Sequence, residues 1–169
     1  MLARQSYNTS VSTTPTKPAE PLTMYEIVFP GDLNANGTMF GGKVVAMMDI
    51  CAGLCASRWS NRPVVTASID AIQFCHPLRQ GQMIECRAQV AYVGRTSCVA
   101  RVLVTGEDMQ TGDRFHCCEG WFTMVAMDAG GRPVAMPQLP VEGDEAQKLH
   151  ELGREIKESM LKRRGRTTA

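Results

Sequence analysis

Val44-Val45-Ala46-Met47-Met48-Asp49-Ile50-Cys51-Ala52-Gly53-Leu54-Cys55-Ala56 decides how this chain is read. Between Lys43 and Arg58, Asp49 is the only charged side chain. The stretch is apolar on every face and long enough for several turns, so it predicts a buried helix. Such a helix must be covered all round, by a sheet that wraps it or by a second subunit. A lone carboxylate within it is costly unless paired, hydrogen-bonded or protonated. Perturbed carboxylates concentrate at functional sites, which makes Asp49 the first candidate for chemistry. The competing reading puts Asp49 at a subunit seam or a solvated edge, with no function.

On the N-terminal side the helix is fed by Pro30-Gly31-Asp32-Leu33-Asn34-Ala35-Asn36-Gly37-Thr38-Met39-Phe40-Gly41-Gly42. Gly, Asn, Asp and Pro dominate it, so a loop of special backbone geometry enters the helix at about residue 42. Residues 24–29 ahead of the loop predict a first strand. Beyond Pro63 the character turns to β. Residues 64–74 are rich in Val, Ile, Thr and Ser, and His76-Pro77 with Gly81 marks a turn. In 83–93, Ile84, Cys86, Ala88, Val90 and Tyr92 alternate with Glu85, Arg87 and Gln89, the pattern of a half-buried strand. Gly94-Arg95-Thr96 connects to a further strand over 98–104, a polar turn covers 105–113, and 115–127 predicts a long last strand. Leu149, Leu152, Ile156 and Met160 fall on one narrow stripe, so 142–164 predicts a C-terminal helix, packed loosely and followed by a solvated basic tail, Lys162-Arg163-Arg164-Gly165-Arg166. One apolar helix followed by four strands predicts an α+β domain, an antiparallel sheet curled around a single helix.

With 169 residues, 44% hydrophobic and 21% charged, the chain has the make-up of one soluble globular domain plus tails. A net charge of +1 gives no basic excess for nucleic acid. The longest apolar run is broken by Asp49 and Gly53 and is too short to span a bilayer. Residues 1–21 are rich in Ser, Thr and Pro and are expected to be a disordered tail. Seven cysteines, an odd number, sit mostly in apolar stretches. Reduced, buried thiols in a cytoplasmic setting account for them best. Cys51 and Cys55 lack a second ligand pair, and His76, His116 and His150 are scattered, so no metal is expected.

Asp32-Leu33-Asn34-Ala35-Asn36-Gly37-Thr38-Met39-Phe40-Gly41-Gly42 followed by Met47-Met48-Asp49 resembles the hotdog-fold acyl-CoA thioesterases, nearest to the YciA-like and brain/cytosolic acyl-CoA hydrolases. Val65-Thr66-Ala67-Ser68-Ile69-Asp70, Phe74-Cys75-His76-Pro77, Val93-Gly94-Arg95-Thr96-Ser97 and Phe122-Thr123-Met124-Val125-Ala126-Met127-Asp128 continue it. The similarity covers about 22–140, the expected hotdog domain, and leaves 141–169 as a C-terminal helix and basic tail.

The resemblance implies hydrolysis of fatty acyl-CoA to free acid and CoA, with no cofactor. It implies Asp49 as the catalytic carboxylate, acting as general base on water or as nucleophile. Asn34 would orient water or Asp49; otherwise it is a turn-forming residue shaping the loop. Gly41 and Gly42 would offer helix N-terminal N–H groups to the carbonyl. On an ideal helix Gly41 and Asp49 lie about 12 Å apart along the axis. The resemblance therefore implies a site shared across a homodimer, and a trimer of such dimers as the assembly. Gly94, Arg95, Thr96 and Ser97 would grip CoA phosphates, with Thr66, Ser68 and His76 along the groove. Phe40 stands where several relatives carry His, and His76 where many carry Lys. A non-catalytic CoA-binding module is an alternative. So is a hydroxyacyl dehydratase, although the chain has no His before residue 76 to pair with the acid.

Overall fold

A computed structural model describes residues 19–167. Most of the tail expected over 1–21 lies outside the described residues. The elements are β1 (Leu22–Ile27), α1 (Gly41–Ser60), β2 (Val64–Phe74), β3 (Met83–Val93), β4 (Ser97–Glu107), β5 (Arg114–Ala126) and α2 (Asp144–Thr167). The strands form one five-stranded sheet in the order β1-β3-β4-β5-β2, antiparallel throughout.

The alternating pattern of β3 builds the core. Ile84, Cys86, Ala88 and Val90 are buried toward α1, together with Val102, Val104, Phe122, Met124 and Ala126 from β4 and β5. From the helix, Val44, Met47, Met48, Cys51, Ala52, Cys55 and Ala56 close that core. The helix ends where Asn61 adopts the left-handed conformation (φ 52°), a helix-stopping cap, just before Pro63.

The helix is not covered on every face. Ile50 and Leu54 are 54% and 49% exposed, and Ile69, on the α1 side of β2 opposite Phe122, is exposed too. A single curved sheet covers only about half of a helix. The other half is left bare at the edge where β2 has no neighbour.

On the far side of the sheet α2 packs Leu149 and Ile156 against Ala91, Tyr92, Val99 and Trp121. Contact there is close, because a Cβ on Gly153 would stand 2.8 Å from the Tyr92 Cβ and 3.0 Å from the Ala91 Cβ. The basic run differs from the expected loose tail. Helix α2 continues through it to Thr167, and Arg163 forms an ion pair with Asp70 of β2. All seven cysteines are free thiols, and only Cys75 is exposed.

Candidate active site

Asp49 lies on α1 at the border between the buried stripe and the bare face, and is half-buried. One of its oxygens, Oδ1, accepts a 2.6 Å hydrogen bond from the Thr66 hydroxyl of β2. Thr66 reaches it because it stands opposite Met124, on the α1 side of the sheet; its Oγ1 also lies 3.5 Å from the Met124 Sδ.

The loop before α1 is held by its own side chains. The Asn34 Oδ1 accepts from the backbone N–H of Asn36 (2.8 Å) and of Thr38 (3.3 Å), and its Nδ2 donates to the Thr38 hydroxyl (3.0 Å). Asn34 is thus spent on shaping the turn within one protomer, and makes no hydrogen bond to Asp49 among the described residues. Asp32 accepts from the Phe29 N–H at 2.7 Å and pairs with Lys43 at 2.5 Å. These two contacts, Lys43 first, hold its carboxyl below the usual range. Lys43 also donates to the Gly31 carbonyl, so the first turn of α1 is tied to the loop that feeds it.

Gly41 opens the helix, and its N-cap Phe40 supplies no side-chain hydrogen bond to the first turn. The first N–H groups of a helix have no intrahelical partners and carry the positive end of its dipole. Gly41 borders a recess of about 320 Å³ that also takes in Val44, Phe74, Cys75, His76 and Leu78. The Phe74 ring lies 3.5 Å from where a Gly41 Cβ would be. At Gly42 a Cβ would collide with the Phe40 ring at 2.4 Å, so glycine there lets Phe40 lie over the helix entry.

The remaining candidates do not gather in one place within the protomer. Gly94-Arg95-Thr96-Ser97 forms the β3–β4 turn, closed by the Gly94 N–H on the Ser97 carbonyl. Ser97 pairs with Val125, which pairs with Val65, so this turn lies at the Thr66 end of β2. Arg95 is exposed there. His76 lies past the opposite end of β2, where its Nδ1 is 2.9 Å from the His116 carbonyl. Ser68 does not share the face of Thr66. An extra residue, Ala67, interrupts the ladder between them and turns Ser68 toward α2, where it donates to Asp70 at 2.7 Å. Sequence reading placed Thr66 in the CoA groove and missed it as the partner of Asp49. The two are adjacent only through the packing of α1 on β2, which no local pattern records. Among the described residues, no group of three or more His, Cys, Asp or Glu could hold a metal ion, and no helix is long and apolar enough to cross a membrane.

Residues 36–112 match the family model of the thioesterase superfamily. YkhA of Bacillus subtilis, described as an uncharacterised acyl-CoA thioester hydrolase, is 37% identical over 123 residues, 73% of this chain and 72% of its own. The acyl-CoA thioester hydrolase YciA of Escherichia coli is 32% identical over 130 residues, 75% of this chain and 98% of its own. The cytosolic acyl coenzyme A thioester hydrolase of Rattus norvegicus is 30% identical over 148 residues, 86% of this chain but 39% of its own. Among solved structures, an apo-hexameric acyl-CoA thioesterase superposes with a TM-score of 0.82 at 38% identity, covering 87% of this chain and 96% of its own. An acyl-CoA hydrolase of Staphylococcus aureus, solved with butyryl-CoA, CoA and CoA disulfide, gives 0.81 at 28% identity over 88% of this chain and 90% of its own. Variants of that protein with an Asn, a Thr or an Asp changed to Ala have also been crystallised. This chain belongs to the thioesterase superfamily of hotdog fold, among its acyl-CoA thioester hydrolases.

Proposed function

We propose that two copies of this chain build shared sites that hydrolyse fatty acyl-CoA to the free acid and CoA, with Asp49 of one copy and the Gly41 end of the other acting on one thioester. The observation that carries this reading is the layout of β2. Thr66, which holds Asp49, stands near its start, and Phe74, which packs over Gly41, ends it. Thr66 and Phe74 are eight residues apart, at most about 26 Å of extended strand, so the two halves are apart in one protomer. β2 is an edge strand with exposed Ile69 on the α1 side and Val65 on the other, and Ile50 and Leu54 of α1 are exposed. A twofold axis that pairs β2 with its copy makes the strands antiparallel. The Thr66 end of one then meets the Phe74 end of the other, and the bare face of α1 is covered. The same pairing brings the Gly94–Ser97 turn and Thr66 of one copy toward His76 of the other, as a grip on CoA. Ser68, on the α2 side, contributes from the other face of the strand. Hexamers among the relatives support a trimer of such dimers. The seven free thiols fit a reducing, cytosolic setting.

In this site Oδ1 of Asp49 is taken by Thr66, while Oδ2 has no donor among the described residues. Oδ2 is therefore the oxygen that takes a proton from water as the water attacks the thioester carbonyl. The Gly41 and Gly42 N–H groups receive the developing oxyanion. Collapse of the tetrahedral adduct breaks the C–S bond, and the proton held on Asp49 passes to the leaving CoA thiolate. Asn34 secures the loop that places the glycines. In the Staphylococcus aureus hydrolase the Asn, Asp and Thr chosen for replacement are spaced along its chain as Asn34, Asp49 and Thr66 are here, which supports these three as one working set.

Thiol release from acyl-CoAs of rising chain length, with wild type and Asp49→Ala, tests this. Loss of a general base lowers kcat by about 10²- to 10⁴-fold while CoA still binds. Silence from both proteins with CoA bound would leave a binding module instead.

A further inference from the structure

Asp70 is the one acidic side chain buried outright among the described residues, at 5% exposed. Its carboxylate is fully engaged. One oxygen accepts the Ser68 hydroxyl at 2.7 Å, and the other pairs with Arg163, which reaches across from the last turns of α2. Neither Asp70 nor Arg163 takes part in the proposed chemistry. A carboxylate withdrawn from water needs such partners to persist, and their position on β2 indicates what the arrangement does.

β2 departs from its ladder on β5 twice. Ala67 is inserted between Thr66 and Ser68, and the register slips again between Asp70 and Gln73, where Ala71 has a φ of +52°. An uninterrupted strand would put Thr66, Ser68 and Asp70 on one face. The inserted Ala67 sends Thr66 to the α1 side, opposite Met124, and leaves Ser68 and Asp70 on the α2 side, opposite Thr123 and Trp121. Bulges of this kind re-aim side chains next to active sites. Within one protomer β2 has a ladder on one side only, and the two breaks interrupt it on either side of Ser68 and Asp70. What holds it on the α2 side is Ser68 to Asp70 to Arg163.

We infer that Arg163 is a positioning residue for thioester hydrolysis: through Asp70 and Ser68 it fixes the Ala67 bulge and so keeps the Thr66 hydroxyl against Asp49. The C-terminal helix is thereby part of the scaffold of the site. This rests on the reading of Asp49 as the catalytic carboxylate.

The test measures kcat, KM, assembly size and melting temperature for the full chain carrying Arg163→Met, Arg163→Lys, Thr66→Val and the Arg163→Met/Thr66→Val double change. Misplacing a catalytic partner by about an ångström costs up to about a hundredfold, so Arg163→Met is expected to lower kcat several-fold, up to but not beyond the loss in Thr66→Val. KM and assembly size should stay as in wild type, and Arg163→Lys should recover most of the rate. Because Arg163 acts through Thr66, the double change should be no slower than Thr66→Val alone. Unchanged kcat in Arg163→Met, a loss that multiplies with that of Thr66→Val, or a loss that tracks dissociation or unfolding would each overturn the inference. Failure of the underlying reading looks different, because Asp49→Ala and Thr66→Val would then keep full turnover.

Discussion

Replacing Thr66 by Val removes one hydroxyl and keeps the shape of the side chain. The lost hydroxyl donates to Asp49 Oδ1 at 2.6 Å, within the range of about 2.5–2.7 Å for a hydroxyl bound to a carboxylate. Hydrogen bonds to charged groups contribute about 1.5–3 kcal/mol. Asp49 is half-buried, so water recovers part of this and about 1–2 kcal/mol is left. At about 1.4 kcal/mol per factor of ten, kcat should fall about five- to thirtyfold. The added methyl takes the place of Oγ1 beside the Met124 Sδ, so melting temperature should hold. Initial rates of CoA thiol release at saturating acyl-CoA read the effect, with Thr66→Ser as the control that restores the donor. A Thr66→Val protein with wild-type kcat beside an inactive Asp49→Ala would refute this account, since the carboxylate would then work without its fixed donor. Equal and complete loss in both would refute it in the other direction, because Thr66 would then touch the reacting atoms itself.

Two further outcomes follow from packing and burial. Gly153→Ala should lower the melting temperature, although alanine favours a helix interior by about 1 kcal/mol. The new Cβ meets the Tyr92 and Ala91 Cβ atoms at 2.8 and 3.0 Å, and overpacking costs about 1–3 kcal/mol. A raised melting temperature would show that α2 does not press on β3 there. Thiol labelling of the native protein at pH 8 should give one rapid equivalent per chain, from exposed Cys75, and seven in denaturant. Burial pushes the Cys55 thiol up to about 11 and Cys98 up to about 12. Only about one Cys55 thiol in a thousand is therefore ionised at pH 8, and raising the pH toward 11 in the folded protein is what would ionise it. Several rapid equivalents at pH 8 would contradict this burial.

Helix α1 was legible because no surface helix carries so unbroken an apolar run, and β3 because Ile84, Cys86, Ala88 and Val90 alternate cleanly. The ends were less so. β1 begins at Leu22 rather than residue 24, and β4 runs on to Glu107 through residues read as turn, because Gly106 is accepted inside the strand. There Phe115 and Leu78 fill the space a side chain would need. The residues of the loop and helix, Asn34, Gly41, Gly42 and Asp49, were found because glycine, asparagine and a lone carboxylate stand out by type. The opposite faces of Thr66 and Ser68 were not legible, because a bulge at Ala67 leaves no mark in composition. Nor was the Arg163–Asp70 pair, which joins residues far apart in sequence. The bare half of α1 was not legible either, because a run apolar on all faces reads the same whether a sheet or a second copy covers it.

The irregularity of β2 also bears on the fate of a chain before it finds its partner. A straight edge with a row of free backbone groups and exposed Val65 and Ile69 is a template on which any extended segment can add. Two breaks in the ladder, at Ala67 and near Ala71, deny a foreign strand a continuous run of hydrogen bonds. In the pairing proposed above, a second copy would carry the same two breaks in the reverse direction along the seam. The kinks that aim Thr66 thus also guard the newly made protein against promiscuous aggregation.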